Sequence, residues 1–232
     1  MKPLDRPEIS LTVCKLSTPV TKSVVVLAKP DAEELEQVVI KIYDPRYLDD
    51  RLPRIPSLPS HPWDLTNERA AAMARSQNST LSYEELVGKI YSAEPDDDSD
   101  EPDGVSDEPE DVSGEGPDTH DFLMLLEKKY YRLMMDCYNT ELTAYERLRD
   151  LQGSVIPSLI MAGQFLPPGE RAIRPPALVL EYIPSVSLLE VPFDAITPTI
   201  RAQLLSDIES FPSYGVVHNN ITLTNIRFTP PE

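Results

Sequence analysis

An α+β domain is what this sequence predicts: a small antiparallel sheet served by one long helix, with a shorter helical segment after it. Three observations carry that expectation. Short runs rich in Val, Ile and Leu recur near the N-terminus and again after residue 158. One stretch of about thirty residues, Phe122 to Leu151, repeats its apolar positions every three or four residues, the period of an amphipathic helix. The order is three strands, a long helix, two strands and a helix, with no internal repeat.

The strands are expected at Leu11 to Leu16, Ser23 to Lys29 and Gln37 to Tyr43, separated by turn-rich Ser17-Thr18-Pro19 and Pro30-Asp31. An antiparallel meander is the simplest way to join them. Side chains alternate along a strand, so Val38, Ile40 and Ile42 share one face of the third strand, and Val39, Lys41 and Tyr43 share the other. Proline-rich Leu52 to Pro62 then reads as an extended connector, its arginines not placed as an SH3 ligand needs. Helices are expected at Leu65 to Ser76 and at Tyr83 to Tyr91, the second opened by a capping box in Ser82-Tyr83-Glu84-Glu85.

Beyond them lies an acidic run, Glu94 to Asp118, that has almost nothing to bury and is expected to be disordered. In the long helix the apolar stripe is Leu126, Tyr130, Leu133, Cys137, Leu142, Tyr145, Leu148 and Leu151, stopped by Gly153 and Pro157. Two strands follow, Leu159 to Phe165 and Ala177 to Ile183, with Pro167-Pro168-Gly169 between them. The last helix has Thr197 as its cap, Pro198 as its first residue, and Ile200, Leu204, Ile208 and Phe211 as its apolar stripe.

The net charge of −18 over 232 residues is a local property. Thirteen carboxylates lie between Glu94 and Asp118 with no Lys or Arg among them; without them the net charge is −5. The rest of the chain therefore offers no electrostatic support for nucleic-acid binding. Cys14 and Cys137 form neither a disulfide framework nor a metal motif and read as buried thiols in a reducing compartment. No apolar run is long enough to span a bilayer, and Met1 to Ser10 is too polar for a secretory signal. The expected setting is intracellular, cytoplasmic or nuclear, without membrane contact.

The chemistry concentrates in the closing stretch, Gly215-Val216-Val217-His218-Asn219-Asn220-Ile221-Thr222-Leu223-Thr224-Asn225-Ile226. It resembles the protein-kinase catalytic loop H-x-D-x-x-x-x-N, with His218 and Asn225 at the first and last positions. Val39-Ile40-Lys41 likewise resembles the V-A-I-K strand. In kinases that lysine holds the α- and β-phosphates of ATP and pairs with a glutamate from the following helix. The long helix offers Glu141 and Glu146, and the spacing Glu141, Tyr145, Leu148 resembles the kinase helix better, which implies Glu141. Leu178 to Ile183 resembles the strand into the hinge, where backbone groups of Glu181 and Ile183 would receive adenine.

Together with Tyr43-Asp44-Pro45-Arg46-Tyr47, a Pro-Trp pair and Glu141-Leu142-Thr143-Ala144-Tyr145-Glu146-Arg147-Leu148, these motifs resemble the protein-kinase-like proteins expanded in filamentous fungi. That family is distantly similar to the aminoglycoside-phosphotransferase branch. The resemblance covers nearly the whole chain apart from the acidic run. It implies a kinase-like N-lobe with a truncated helical C-lobe, parsed as N-lobe strands in 1–43, an insertion in 44–93, the acidic segment in 94–118, the αC-type helix and hinge strands in 119–183, and the start of the C-lobe in 184–232. ATP and magnesium are the cofactors it implies, with Lys41, Glu141, Val39, Glu181 and Ile183 toward the nucleotide and Asn225 toward the metal.

Three departures set this chain apart from an active kinase. Asn220 stands where the catalytic aspartate would, and an amide neither carries the charge nor acts as a base near neutral pH. The loop between the first two strands has no glycine to let backbone close over phosphates, the first glycine being Gly88. Only seven residues follow Asn225, so the D-F-G aspartate and the remaining C-lobe helices have no place, and a protein partner is expected to cover the stripe of Ile200, Leu204 and Ile208. The sequence thus reads as a degenerate kinase-like protein with a binding or scaffold role and weak ATP affinity. An active protein or small-molecule kinase represented by a truncated sequence is the second reading. An acidic-tract interaction protein with a vestigial kinase fold is the third.

Overall fold

Hydrogen bonding along the two groups of predicted strands produces one five-stranded antiparallel sheet. Its members are β1 (Leu11–Leu16), β2 (Val24–Pro30), β3 (Val38–Ile42), β4 (Leu159–Gln164) and β5 (Pro176–Glu181), in the order β1-β2-β3-β5-β4. The computed structural model describes residues 9–17, 22–31, 36–48, 51, 61–77 and 119–229. The connector at 52–60, the helix expected at 83–91 and the acidic run at 94–118 lie outside the described residues. Among the described residues no helix is long and apolar enough to cross a membrane.

The chain divides into two units, Met1–Asp49 with Met134–Leu166 and Pro175–Glu232, and Asp50–Leu133 with Pro167–Arg174. The sheet belongs to the first. Its core face is built by Val26 and Ala28 of β2, Val38, Ile40 and Ile42 of β3, and Ala177 of β5, all buried, with Leu11, Val24, Phe165 and Val179 packed against them. Strict alternation in β3 makes this possible: the even-numbered residues are buried and the odd-numbered ones half-exposed. Removing aliphatic side chains of this kind from water stabilises a fold by about 1.5–3 kcal/mol each.

β3 is central, flanked by β2 and β5, so Lys41 projects from the middle of the sheet. β1 is an edge strand with five of its six residues exposed. That overturns the expectation of a buried thiol at Cys14, which is exposed. The register shifts between Val13 and Lys15, leaving Cys14 as the extra residue of a bulge on this edge strand. Cys137 is half-buried.

Helix α2 (Thr119–Arg147) contributes its first part to the second unit and its remainder, from Met134, to the first. It ends four residues before the point expected from periodicity, tightening into a 3₁₀ turn at Arg149–Leu151, as helix ends commonly do. Gln152 explains where it stops. Its Nε2 donates to the Tyr145 carbonyl at 2.8 Å, and its Oε1 accepts from the Leu159 amide at 2.8 Å, so one side chain caps the helix and starts β4. β5 likewise stops at Glu181, short of Ile183, because its last ladder pair is Val38 with Glu181.

In the second unit, α1 (Leu65–Ser76) starts at Asp64, whose side chain accepts from the Asn67 amide. Glu68 of α1 is buried and satisfied by four nitrogen donors. The Trp63 indole N–H lies at 2.8 Å, the Arg171 Nε and Nη2 within 3.0 Å, and the Ala172 amide at 2.8 Å. Burial pushes its carboxyl up, but the Arg171, Ala172 and Trp63 hydrogen bonds outweigh it and hold the group below the usual range. A second buried clasp joins Arg51 to Glu127 through two parallel bonds of 2.7 and 2.6 Å, with the guanidinium 4.4 Å from the Tyr130 ring centroid.

Back in the first unit, α3 (Pro198–Ser210) begins as expected, with Thr197 Oγ1 accepting from the Ile200 amide. Its stripe residues Ile200, Leu204 and Ile208 are only half-buried, whereas Phe211 is buried. A two-stranded ribbon of β6 (Val186–Ser187) and β7 (Arg227–Phe228) completes the described elements.

Candidate functional site

Register decides what surrounds Lys41. It lies opposite Val25 on β2 and Leu178 on β5, and Val39 lies opposite Leu27 and Leu180. Directly opposed residues share a face, so one side of the sheet carries Val25, Leu27, Val39, Leu178 and Leu180 around a single ammonium group. Leu178 and Leu180 are buried, and Val25, Leu27 and Val39 are partly exposed.

Glu141, one of the two candidate helix glutamates, meets that ammonium. Lys41 Nζ donates to both carboxylate oxygens, at 2.5 and 2.6 Å, across a sequence separation of 100 residues. The alternative, Glu146, is exposed. The two side chains keep 24% and 28% of their surface, so the pair is reachable from solvent. The other polar contact to Glu141 comes from Tyr43, whose hydroxyl donates to Oε2. Tyr43 is buried, and its ring meets Tyr138 edge-on with centroids 5.5 Å apart.

Helical spacing brings Tyr138 and Tyr145 to the Glu141 side of α2, three residues before it and four after. Burial first, and then the nearby Glu141 charge, pushes the Tyr43 and Tyr145 phenols far above their ordinary range, so both remain protonated. Sequence reasoning paired Lys41 with Glu141, as the hydrogen bonds do, but missed Tyr43 as a partner of that glutamate. The available signal was its position two residues beyond Lys41, which strand alternation turns toward the same side.

At the hinge, the Glu181 amide donates to the Ser158 carbonyl at 2.9 Å, and Glu181 Oε2 accepts from the Ser158 amide at 2.9 Å. Hydrogen bonding from Ser158, its amide first and then its side chain, holds the Glu181 carboxyl below its usual range. Its side chain therefore anchors β4 to β5. The amides of Tyr182 and Ile183 have no backbone acceptor among the described residues, while the Ile183 carbonyl accepts from the Ser185 hydroxyl.

His218, Asn220 and Asn225 form a cluster of their own. The Asn220 amide donates to His218 Nδ1 at 3.3 Å, and Asn225 Nδ2 donates to the Asn220 carbonyl at 3.0 Å. The loop is held at both ends. Gly215, at φ 69°, turns the chain, and its carbonyl receives Arg147 Nη1 at 2.7 Å from the end of α2. At the other end Leu188 donates to the Ile226 carbonyl, and the Ser187 hydroxyl to that of Leu223. All three candidate residues are exposed, and no hydrogen bond or ion pair joins them to Lys41 or Glu141.

The residues around Lys41 fit a nucleotide: a cation for phosphate, an aliphatic face for a base, and open amides past β5. They do not fit magnesium equally. Among the described residues no three His, Cys, Asp or Glu side chains gather where they could share a metal. Asn225 brings one amide oxygen, fewer hard ligands than a phosphate-bridging cation takes. No family model, curated protein or solved structure matches this chain.

Proposed function

We propose that this chain is a protein-kinase-like nucleotide-binding module, degenerate in its catalytic loop, with a binding or scaffold role. The observation that carries the reading is the lysine of a central strand held by a glutamate from a long helix, the arrangement by which kinases align the ATP phosphates. The order of strands and helices around it, with the sheet order β1-β2-β3-β5-β4, supports the same reading. Val25, Leu27 and Val39 supply the apolar surface for adenine, and the Ile183 amide a donor to its edge.

Phosphoryl transfer is a weaker function of this site than binding. Asn220 keeps the shape of an aspartate without its charge or basicity, so a substrate hydroxyl finds no proton acceptor there. The binding role draws on exposed Phe193, Leu205 and Val217, apolar side chains available to a protein partner. Thermal unfolding with and without ATP tests the nucleotide claim, because a ligand that binds only the folded state must stabilise it. The wild-type midpoint should rise at millimolar ATP and that of Lys41→Met should not. No rise in the wild type would leave the kinase-like reading without its ligand.

A further inference from the structure

Glu141 is held from two sides, and only one of them belongs to the lysine. Lys41 Nζ spans both carboxylate oxygens, and the Tyr43 hydroxyl adds a third hydrogen bond, on Oε2. Tyr43 cannot readily give up that position. Its amide donates to the Pro176 carbonyl at 2.9 Å, continuing the ladder one step past β3, and the residue is 2% exposed, its ring packed against Tyr138. The glutamate and lysine, by contrast, are long chains that lose considerable rotamer freedom when ordered, and both remain partly in water.

We propose that Tyr43 is a positioning residue: its hydroxyl fixes the Glu141 carboxylate so that the Lys41 ammonium is already aligned before a polyphosphate arrives. The inference rests on reading Lys41 as the phosphate-binding group, and it extends that reading to a residue outside the lysine–glutamate pair. A fixed carboxylate removes part of the ordering cost from binding, the general advantage of a preorganised site. Tyr43 stays an O–H donor throughout the neutral range, since burial and the Glu141 charge both oppose its ionisation.

Tyr43→Phe removes the hydroxyl and leaves the ring. The readout is the ¹H–¹⁵N signal of the Lys41 ammonium, assigned by its disappearance in Lys41→Arg. The wild type should give a protected signal, Tyr43→Phe should broaden or lose it, and Tyr145→Phe, close to Glu141 in charge but not bonded to it, should keep it. ATP affinity should fall about tenfold in Tyr43→Phe, with adenosine affinity unchanged. A Lys41 signal retained in Tyr43→Phe, or lost equally in Tyr145→Phe, overturns the proposal. If the Phe variant folds poorly, the wild-type Tyr43 hydroxyl proton decides: a slowly exchanging resonance that shifts in Glu141→Gln supports the proposal, and its absence overturns it. A wild type that binds no ATP sinks the nucleotide reading, while the ammonium signal still decides the role of Tyr43.

Discussion

Two kinds of ion pair among the described residues differ in burial and in what closes around them. In the second unit Arg171 with Glu68 and Arg51 with Glu127 are each 4–7% exposed, and every pair is bidentate. Trp63 and Ala172 complete the ring of donors around Glu68. In the first unit Lys41 and Glu141 keep about a quarter of their side-chain surface. The arginine pairs are closed and hold chain segments together, Glu68 and Arg171 being 103 residues apart. The lysine pair uses a flexible point charge and stays open to solvent.

The largest effect expected from breaking this contrast is at Glu68. Glu68→Ala removes the buried carboxylate that a guanidinium, an indole N–H and a backbone amide share, and should cost about 3–5 kcal/mol in chemical denaturation. A loss below about 1 kcal/mol would show that the clasp is not buried as described.

Acid should act on the same group. The folded-state pKa of Glu68 is lowered, so its contribution to stability is fully present above its unfolded value of about 4.3 and is lost as pH falls through the lower folded value. The wild type should therefore lose stability below about pH 4 in a component that Glu68→Gln no longer shows. An identical acid profile in both proteins would contradict the assignment.

Smallest in stability, and largest in ligand response, is the lysine pair. A solvent-accessible pair contributes about 1 kcal/mol or less, so Lys41→Met should unfold within that margin of the wild type. A loss as large as that of Glu68→Ala would erase the distinction between the two kinds of pair.

Much of this was legible in the sequence wherever one local pattern decided the outcome. Alternation in Val38 to Ile42 and the three-to-four spacing along α2 fix their own elements, and together they put Lys41 and Glu141 on named faces. Thr197 and Pro198 mark the start of α3 without help from the rest of the chain. What stayed hidden depends on distant partners. Nothing near Glu68 indicates that Arg171 will reach it, and the excursion between β4 and β5 read only as a turn. Cys14 is apolar enough to suggest burial, but a bulge on an edge strand is set by pairing and not by composition. Helix α2 ends early because Gln152, itself beyond the helix, takes up the Tyr145 carbonyl.

Acylation of lysines by an acyl-phosphate derivative of ATP, mapped by mass spectrometry on the whole chain, reports whether Lys41 meets bound phosphates. The reagent transfers its acyl group to the amine nearest those phosphates. Labelling should concentrate on Lys41 and be suppressed by excess ATP. Labelling spread evenly over exposed Lys15, Lys22 and Lys29, unaffected by ATP, would contradict the nucleotide reading.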